Sequence, residues 1–464
     1  MTGWRHMAQH PLAALRASVG LSHAAYAQLV ADAHAALGFG PLAARREKVA
    51  RWESGRTVPS PTTQLAIAHV HGVPESDVAL LGWPMWLSPA GRAAASAEEQ
   101  PWTAKAAAGR AREAAGPVTG NAFRLVLAVS GHALLVQMQK ALTALEHPRT
   151  AHTQPGHVVP PASLDWAESR LRSLEREEAG STSAPAALFY AARAEHRLVA
   201  GLLADAGYDR QTGTRLLYLA ARSGRLCACL STSLGDFATA ERYSLAALQA
   251  ATTIGARRQS IVCLADLAGL HATAGTPKDA LCVVAAARRE VRCLTPRLSA
   301  QLDSWEGLAL ARMGDKQSSA RALDRAGRRL STGDQQPVVA DGLPVRDLDG
   351  MQLRLCTGLS QLYWGRPQEA LKWLAPLTRT ESTASPDAPG PSPFSAGVLL
   401  YTVDAQLALG ELDSALRSAW HAVALAGGLP DALAGQYYRR FDIHRGEPCV
   451  QDLLSLLDSQ ASDI

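Results

Sequence analysis

Between residues 41 and 60, five side chains are basic (Arg45, Arg46, Lys48, Arg51 and Arg56) and two are acidic (Glu47 and Glu53). The local net charge of +3 nearly equals the +4 of the whole 464-residue chain. Arginine can donate a bidentate pair to guanine, and lysine or arginine can neutralise phosphates. A cluster of this kind suits nucleic acid, whereas the overall pI near 8.7 argues for no partner by itself. Other chemistry is harder to place. Cys227 and Cys229 form a Cys-x-Cys pair with no second pair nearby, so they read as small buried hydrophobes rather than zinc ligands. Seven scattered cysteines suit a reducing compartment, hence a cytoplasmic location. Ser130-Gly131-His132 and Glu195-His196 are isolated polar groups in helical segments. The chain has no Gly-x-Gly-x-x-Gly after a strand, no phosphate-loop Gly-Lys-Ser/Thr, no His-Glu-x-x-His and no Gly-x-Ser-x-Gly. The reading is therefore of a protein that is not an enzyme and uses no metal or cofactor.

The basic cluster needs elements to hold it. Leu12-Ala-Ala-Leu15-Arg16 predicts a first helix with an apolar stripe, ended by Gly20. Ser22 can cap a second helix, whose inward face would be Tyr26, Ala27, Leu29 and Val30. A loop is expected at Gly38 to Pro41, then a helix through the basic cluster. Ser60 with Pro61 reads as the N-cap and first position of a helix over Thr62 to His71. A further short helix is expected at Glu75 to Leu81.

These residues resemble the Cro/phage-repressor type (XRE family) of helix-turn-helix domain. The match rests on Leu21-Ser22, Tyr26-Ala27, Val49-Ala50-Arg51-Trp52-Glu53-Ser54-Gly55-Arg56 and Pro59-Ser60. The resemblance implies that the helix ending in Trp-Glu-x-Gly enters the major groove of double-stranded operator DNA. It puts Arg46, Glu47 and Arg51 where base-reading side chains sit, and Lys48, Arg56 and Thr57 near the phosphate backbone; Arg45 belongs to the same basic set. Val49 and Trp52 would be core, and Glu53 a structural partner. His23 stands where the family usually has a phosphate-holding glutamine. Leu21 and Glu53 are 32 positions apart, more than in compact members, which implies a longer second helix. Arg46 and Arg51 would flank the groove-facing side, with Glu47 and Lys48 between them.

Beyond residue 87 the composition changes. Residues 88–160 are rich in Ala, Gly and Pro and read as a linker with one buried helix, Ala122 to Leu145. From 161 to 460 the apolar period is helical throughout, so the fold class is all-α. Five turns pair a glycine with a small residue in the next helix: Gly235 with Ala240, Gly275 with Ala280, Gly314 with Ala320, Gly365 with Ala370 and Gly410 with Ala415. The third copy stands one residue out of register. The glycines lie 40, 39, 51 and 45 residues apart, against about 34 for the tetratricopeptide repeat. Two turn-rich interruptions, 331–350 and 385–393, lie within the longest gaps. Tyr190, Tyr218, Tyr243, Trp305, Trp364 and Trp420 read as packing between repeats rather than as a groove. No segment is apolar enough to span a membrane, and the start lacks a signal-peptide pattern.

The expected architecture is an N-terminal helix-turn-helix domain (1–87), a linker, and a C-terminal tetratricopeptide-like helical-hairpin solenoid (161–460). The whole chain also resembles actinobacterial regulators that join these two parts, with Gly82-Trp83-Pro84, Trp86-Leu87, Pro101-Trp102 and Leu127-Ala-Val-Ser130-Gly131 matching their connecting region. That group implies control of differentiation, antibiotic production or plasmid transfer. The expected partners are an operator and, on the repeats, a peptide, small-molecule or protein effector; homodimerisation is compatible with the reading. The alternative is a protein-binding adaptor with a vestigial helix-turn-helix.

Overall fold

The computed structural model describes residues 10–18, 21–71, 73, 75, 78–79, 82–87, 102–116, 127, 129–148, 153–180, 184–289, 294–333, 349–378, 393–426 and 431–461. Among them the protein is all-α, with twenty α-helices and no strand. None of the described helices is long and apolar enough to cross a membrane. The chain divides into two compact units, Met1–Pro101 with Val118–Val136, and Trp102–Pro117 with Gln137–Ile464.

The first unit contains α1 (Pro11–Ser18), α2 (His23–Ala36), α3 (Arg46–Glu53) and α4 (Pro61–Val70). The expected caps form: Ser22 accepts from the Ala25 amide, and Ser60 accepts from the Thr63 amide ahead of Pro61. Leu12, Tyr26, Val30, Val49, Trp52 and Ile67 meet in one core. Trp86 and Leu87, on a single 3-10 turn (Met85–Leu87), pack into the same core. The Gly82–Leu87 segment is therefore part of this unit rather than a connection. Leu29, expected inside, is exposed. Gly20 and most of the predicted 75–81 helix lie outside the described residues.

The second unit starts earlier than composition suggested. Helix α5 (Ala104–Ala114) lies inside the stretch read as linker, yet Ala107, Ala108, Ala111 and Ala114 are buried in the repeat core. Trp102 Nε1 donates to Thr252 Oγ1 at 2.8 Å, and Arg193 and Arg242 donate to carbonyls at the end of α5. The Ala-rich composition was misleading because alanine is the strongest helix former and lets helices approach closely. Helix α6 runs over Gly131–Glu146 only; Leu127 and Val129 are buried but not helical.

Then follow α7 (Pro161–Gly180), α8 (Pro185–Asp205) and five hairpins. These pair α9 (Arg210–Ser233) with α10 (Phe237–Thr253), and α11 (Arg257–Thr273) with α12 (Pro277–Arg288). The next two pair α13 (Pro296–Arg312) with α14 (Lys316–Gly333), and α15 (Asp349–Tyr363) with α16 (Pro367–Thr378). The fifth pairs α17 (Pro393–Ala408) with α18 (Leu412–Ala426), and α19 (Asp431–Phe441) and α20 (Pro448–Ala461) end the chain's described part. Every predicted turn glycine falls between the helices of one hairpin. Gly235, Gly314, Gly365 and Gly410 take left-handed φ values of 73°, 87°, 75° and 76°, which reverse the chain without steric cost. The interruption residues 334–348 and 385–392 lie outside the described residues.

The structure corrects the third repeat. Ala240, Ala280, Ala370 and Ala415 are each fully buried five residues after their glycine, and in the third hairpin that position is Ser319. Ala320 is exposed. The register is therefore regular, and serine fills the small-residue position. A side chain at Gly307 would lie 3.3 Å from the Ser319 carbonyl, so α13 and α14 touch closely here. Among the described residues, the buried Ser319 hydroxyl has no hydrogen-bond partner. Ser319→Leu should thus destabilise the protein by about 1–3 kcal/mol through overpacking, whereas Ala320→Leu should change it by less than about 0.5 kcal/mol. Ser319→Ala should stabilise by about 1 kcal/mol, since it removes an unpaired buried hydroxyl. Urea unfolding of the three variants checks the register; equal effects at 319 and 320 would refute it.

Candidate nucleic-acid interface

Helix α3 is short and has no apolar surplus, so tertiary contacts must hold it. Val49 and Trp52 anchor it in the core. Its C-terminal Glu53 sits where a carboxylate opposes the helix dipole, and Arg16 of α1 compensates. Arg16 Nε donates to Glu53 Oε1 at 2.7 Å and Arg16 Nη2 to Oε2 at 3.1 Å. Arg16 Nη1 also donates to the Leu21 carbonyl at 2.7 Å, so the same guanidinium ties down the start of α2. This clamp fixes α3 against both preceding helices. Glu53 is a structural partner, as the family resemblance implied.

The long α2–α3 connection is fastened too. His34 is buried; its Nδ1 donates to the Gly40 carbonyl at 2.9 Å, and its Nε2 lies 3.2 Å from the Thr62 hydroxyl, which donates to it when the ring is neutral. One histidine thereby joins α2, the loop at Gly38–Gly40 and the start of α4. At the other end, the Gly55 amide donates to the Trp52 carbonyl and the Arg56 amide to the Arg51 carbonyl, around a left-handed Gly55 with φ 68°. This double closure stops the helix sharply and sets Arg56 and Thr57 just past it, both exposed.

With 3.6 residues per turn, the exposed residues Arg46, Ala50, Ser54, Glu47 and Arg51 cover an arc of about 140° opposite Val49 and Trp52. Arg46 and Arg51 stand at its two edges. Ala50, Ser54 and Glu47 lie between them. Lys48, expected between them, is half-buried and lies beyond Arg51 on the way to Trp52. Arg45 is the N-cap residue, exposed, and makes no side-chain cap. Arg46 Nε donates to Glu47 Oε1 at 3.1 Å. Glu47's carboxyl is held below its usual range, first by its own backbone amide and then by Arg46. His23 is partly exposed, and its Nε2 lies 2.9 Å from Glu53 Oε2, so that nitrogen is engaged by the clamp.

The arrangement places a fork-shaped donor at each edge of a convex face, with the small Ala50 and Ser54 between them. Such a face can approach base edges closely, with arginine donating to guanine, Glu47 accepting from cytosine and the Ala50 methyl meeting thymine. Arg16, His34 and Ala50 were missed by sequence reasoning, which looked for charge near the motif. Only Arg16 carried a signal, as a cation in the last turn of α1.

The fold and this face define a helix-turn-helix module, the class that places its second helix on DNA in regulators. Residues 10–81 match the family model described as a helix-turn-helix domain. No curated protein matches the chain, and no solved structure matches it.

Proposed function

We propose that this chain is a cytoplasmic, sequence-specific transcriptional regulator of the Cro/phage-repressor type. Its α3 reads the operator, and its tetratricopeptide-like hairpins take up an effector. The observation that carries the reading is the exposed arc of α3, edged by Arg46 and Arg51 and locked by the Arg16–Glu53 pair. A vestigial domain would have no reason to keep a convex donor face so firmly mounted, which favours DNA reading over the adaptor alternative. Control of differentiation, antibiotic production or plasmid functions in an actinobacterium is the pathway-level form of this proposal and rests on the resemblance alone.

In this reading Arg46, Glu47 and Arg51 contact bases, while Arg45, Lys48, Arg56 and Thr57 lie along the phosphates. His23 supports the clamp. Mapping the genomic DNA bound by the tagged full-length protein tests the proposal and supplies the operator. On that operator, Lys48→Ala or Arg56→Ala should weaken specific and scrambled duplexes alike and lower the slope of log affinity against log salt by about one. A change confined to the specific duplex would assign either residue to base reading instead.

A further inference from the structure

Inside the second unit, the helices that open the five hairpins, α9, α11, α13, α15 and α17, all line one chamber. Its cavity volume is about 120 Å³, with further space that opens to solvent, so it takes about one aromatic ring of a ligand inside. The chamber exists because the array closes on itself. Helix α17 packs against α9, and a side chain at Gly397 would lie 3.4 Å from the Ser233 carbonyl. Gln436 of α19 reaches the Gly235 carbonyl at 3.4 Å. An extended peptide lying along an array needs a groove open at both ends, and this closure removes one.

The wall is mostly apolar, formed by Ala228, Leu270, Leu355 and Leu400 with the Trp305 indole. Trp305 stands where it does because residue 269 is glycine; a Cβ there would fall 2.6 Å from the indole ring. One charged pair interrupts the wall. Arg225 Nε donates to Asp266 Oδ2 at 2.6 Å, and Gln301 Nε2 donates to Asp266 Oδ1 at 3.4 Å. The terminal guanidinium nitrogens of Arg225 have no further partner among the described residues. The pair is neutral as a whole. An anion would therefore meet Asp266 as well as Arg225, while a carbonyl oxygen could accept from the free Arg225 fork without leaving a buried charge.

We propose that this chamber binds a small uncharged molecule with an apolar body and a carbonyl-type oxygen directed at Arg225. That this molecule is the effector rests on the regulator reading above. The probe for the test is prodan, a neutral naphthalene ketone whose emission shifts to the blue in apolar surroundings, titrated into the full-length protein. One prodan should bind per chain. Ala228→Phe and Leu355→Trp, two independent ways to fill the chamber, should each weaken it at least about ten-fold, with folding verified by circular dichroism. Arg225→Lys keeps the charge beside Asp266 but loses the planar fork, and should weaken prodan by about three- to ten-fold. The anionic naphthalene 1-anilinonaphthalene-8-sulfonate should bind at least about ten-fold more weakly than prodan. No saturable prodan binding, equal binding by a folded chamber-filling variant, or preference for the sulfonate overturns the proposal. A gel shift on the same samples separates the two readings. Absence of DNA binding by the unliganded wild type would defeat the regulator assignment, while the fluorescence titration still decides the chamber.

Discussion

Replacing Arg46 and Arg51 together by alanine is expected to abolish discrimination between operator and scrambled DNA while leaving the protein folded. Each bidentate arginine–base contact is worth about 1–3 kcal/mol. Losing two removes about 2–6 kcal/mol, or roughly 30-fold to more than 10⁴-fold in affinity, if the sites act independently. Both side chains are exposed, and among the described residues Arg46 pairs only with its neighbour Glu47 at the surface. Stability should therefore change by less than about 0.5 kcal/mol. Arg51→Ala alone should relax preference at one base pair, because the two arginines stand at opposite edges of the arc and cannot share one. A quantitative gel shift at several salt concentrations, paired with thermal melts, measures both quantities. A folded double variant that still selects the operator would show that α3 is not the reading helix.

Trp52→Ala is expected to act through the opposite face of the same helix. Its indole is buried with Val49, Tyr26 and Ile67, and truncating a large buried aromatic costs about 3–5 kcal/mol. Set against the roughly 5–15 kcal/mol stability of a typical domain, that loss is large. The first unit should unfold at markedly lower temperature, and binding to every DNA sequence should fall together. Trp52→Phe should recover most of both, since the ring still fills the site. Differential scanning calorimetry of the full chain with the same gel shift tests this. An unchanged melt in Trp52→Ala, with DNA binding lost, would make Trp52 a contact residue rather than core.

Much of this protein was legible in its sequence because the relevant physics is local. Ser22 and Ser60 announce helix starts through a side chain that reaches an amide three residues on. The glycines at 235, 314, 365 and 410 announce turns because left-handed backbone is costly for other residues. The apolar period alone gave the all-α class, and the resemblance to the Cro/phage-repressor type gave Val49 and Trp52 as the inward face of α3. Those signals depend on neighbours within one or two turns of chain.

What only the tertiary structure decided depends on residues far apart. Glu53 could be read as structural, but nothing local says that Arg16, 37 positions earlier, holds it, or that His23 joins that pair. Ala104–Ala114 looked like linker because alanine packing has no sequence signature until α8 and α10 are set against it. Ser319 took the place of Ala320 because burial, not residue type, defines the small position of a hairpin. The chamber is the extreme case. It needs α17 to return to α9 across more than 150 residues, and that closure is a sum of small packing angles which no single segment encodes.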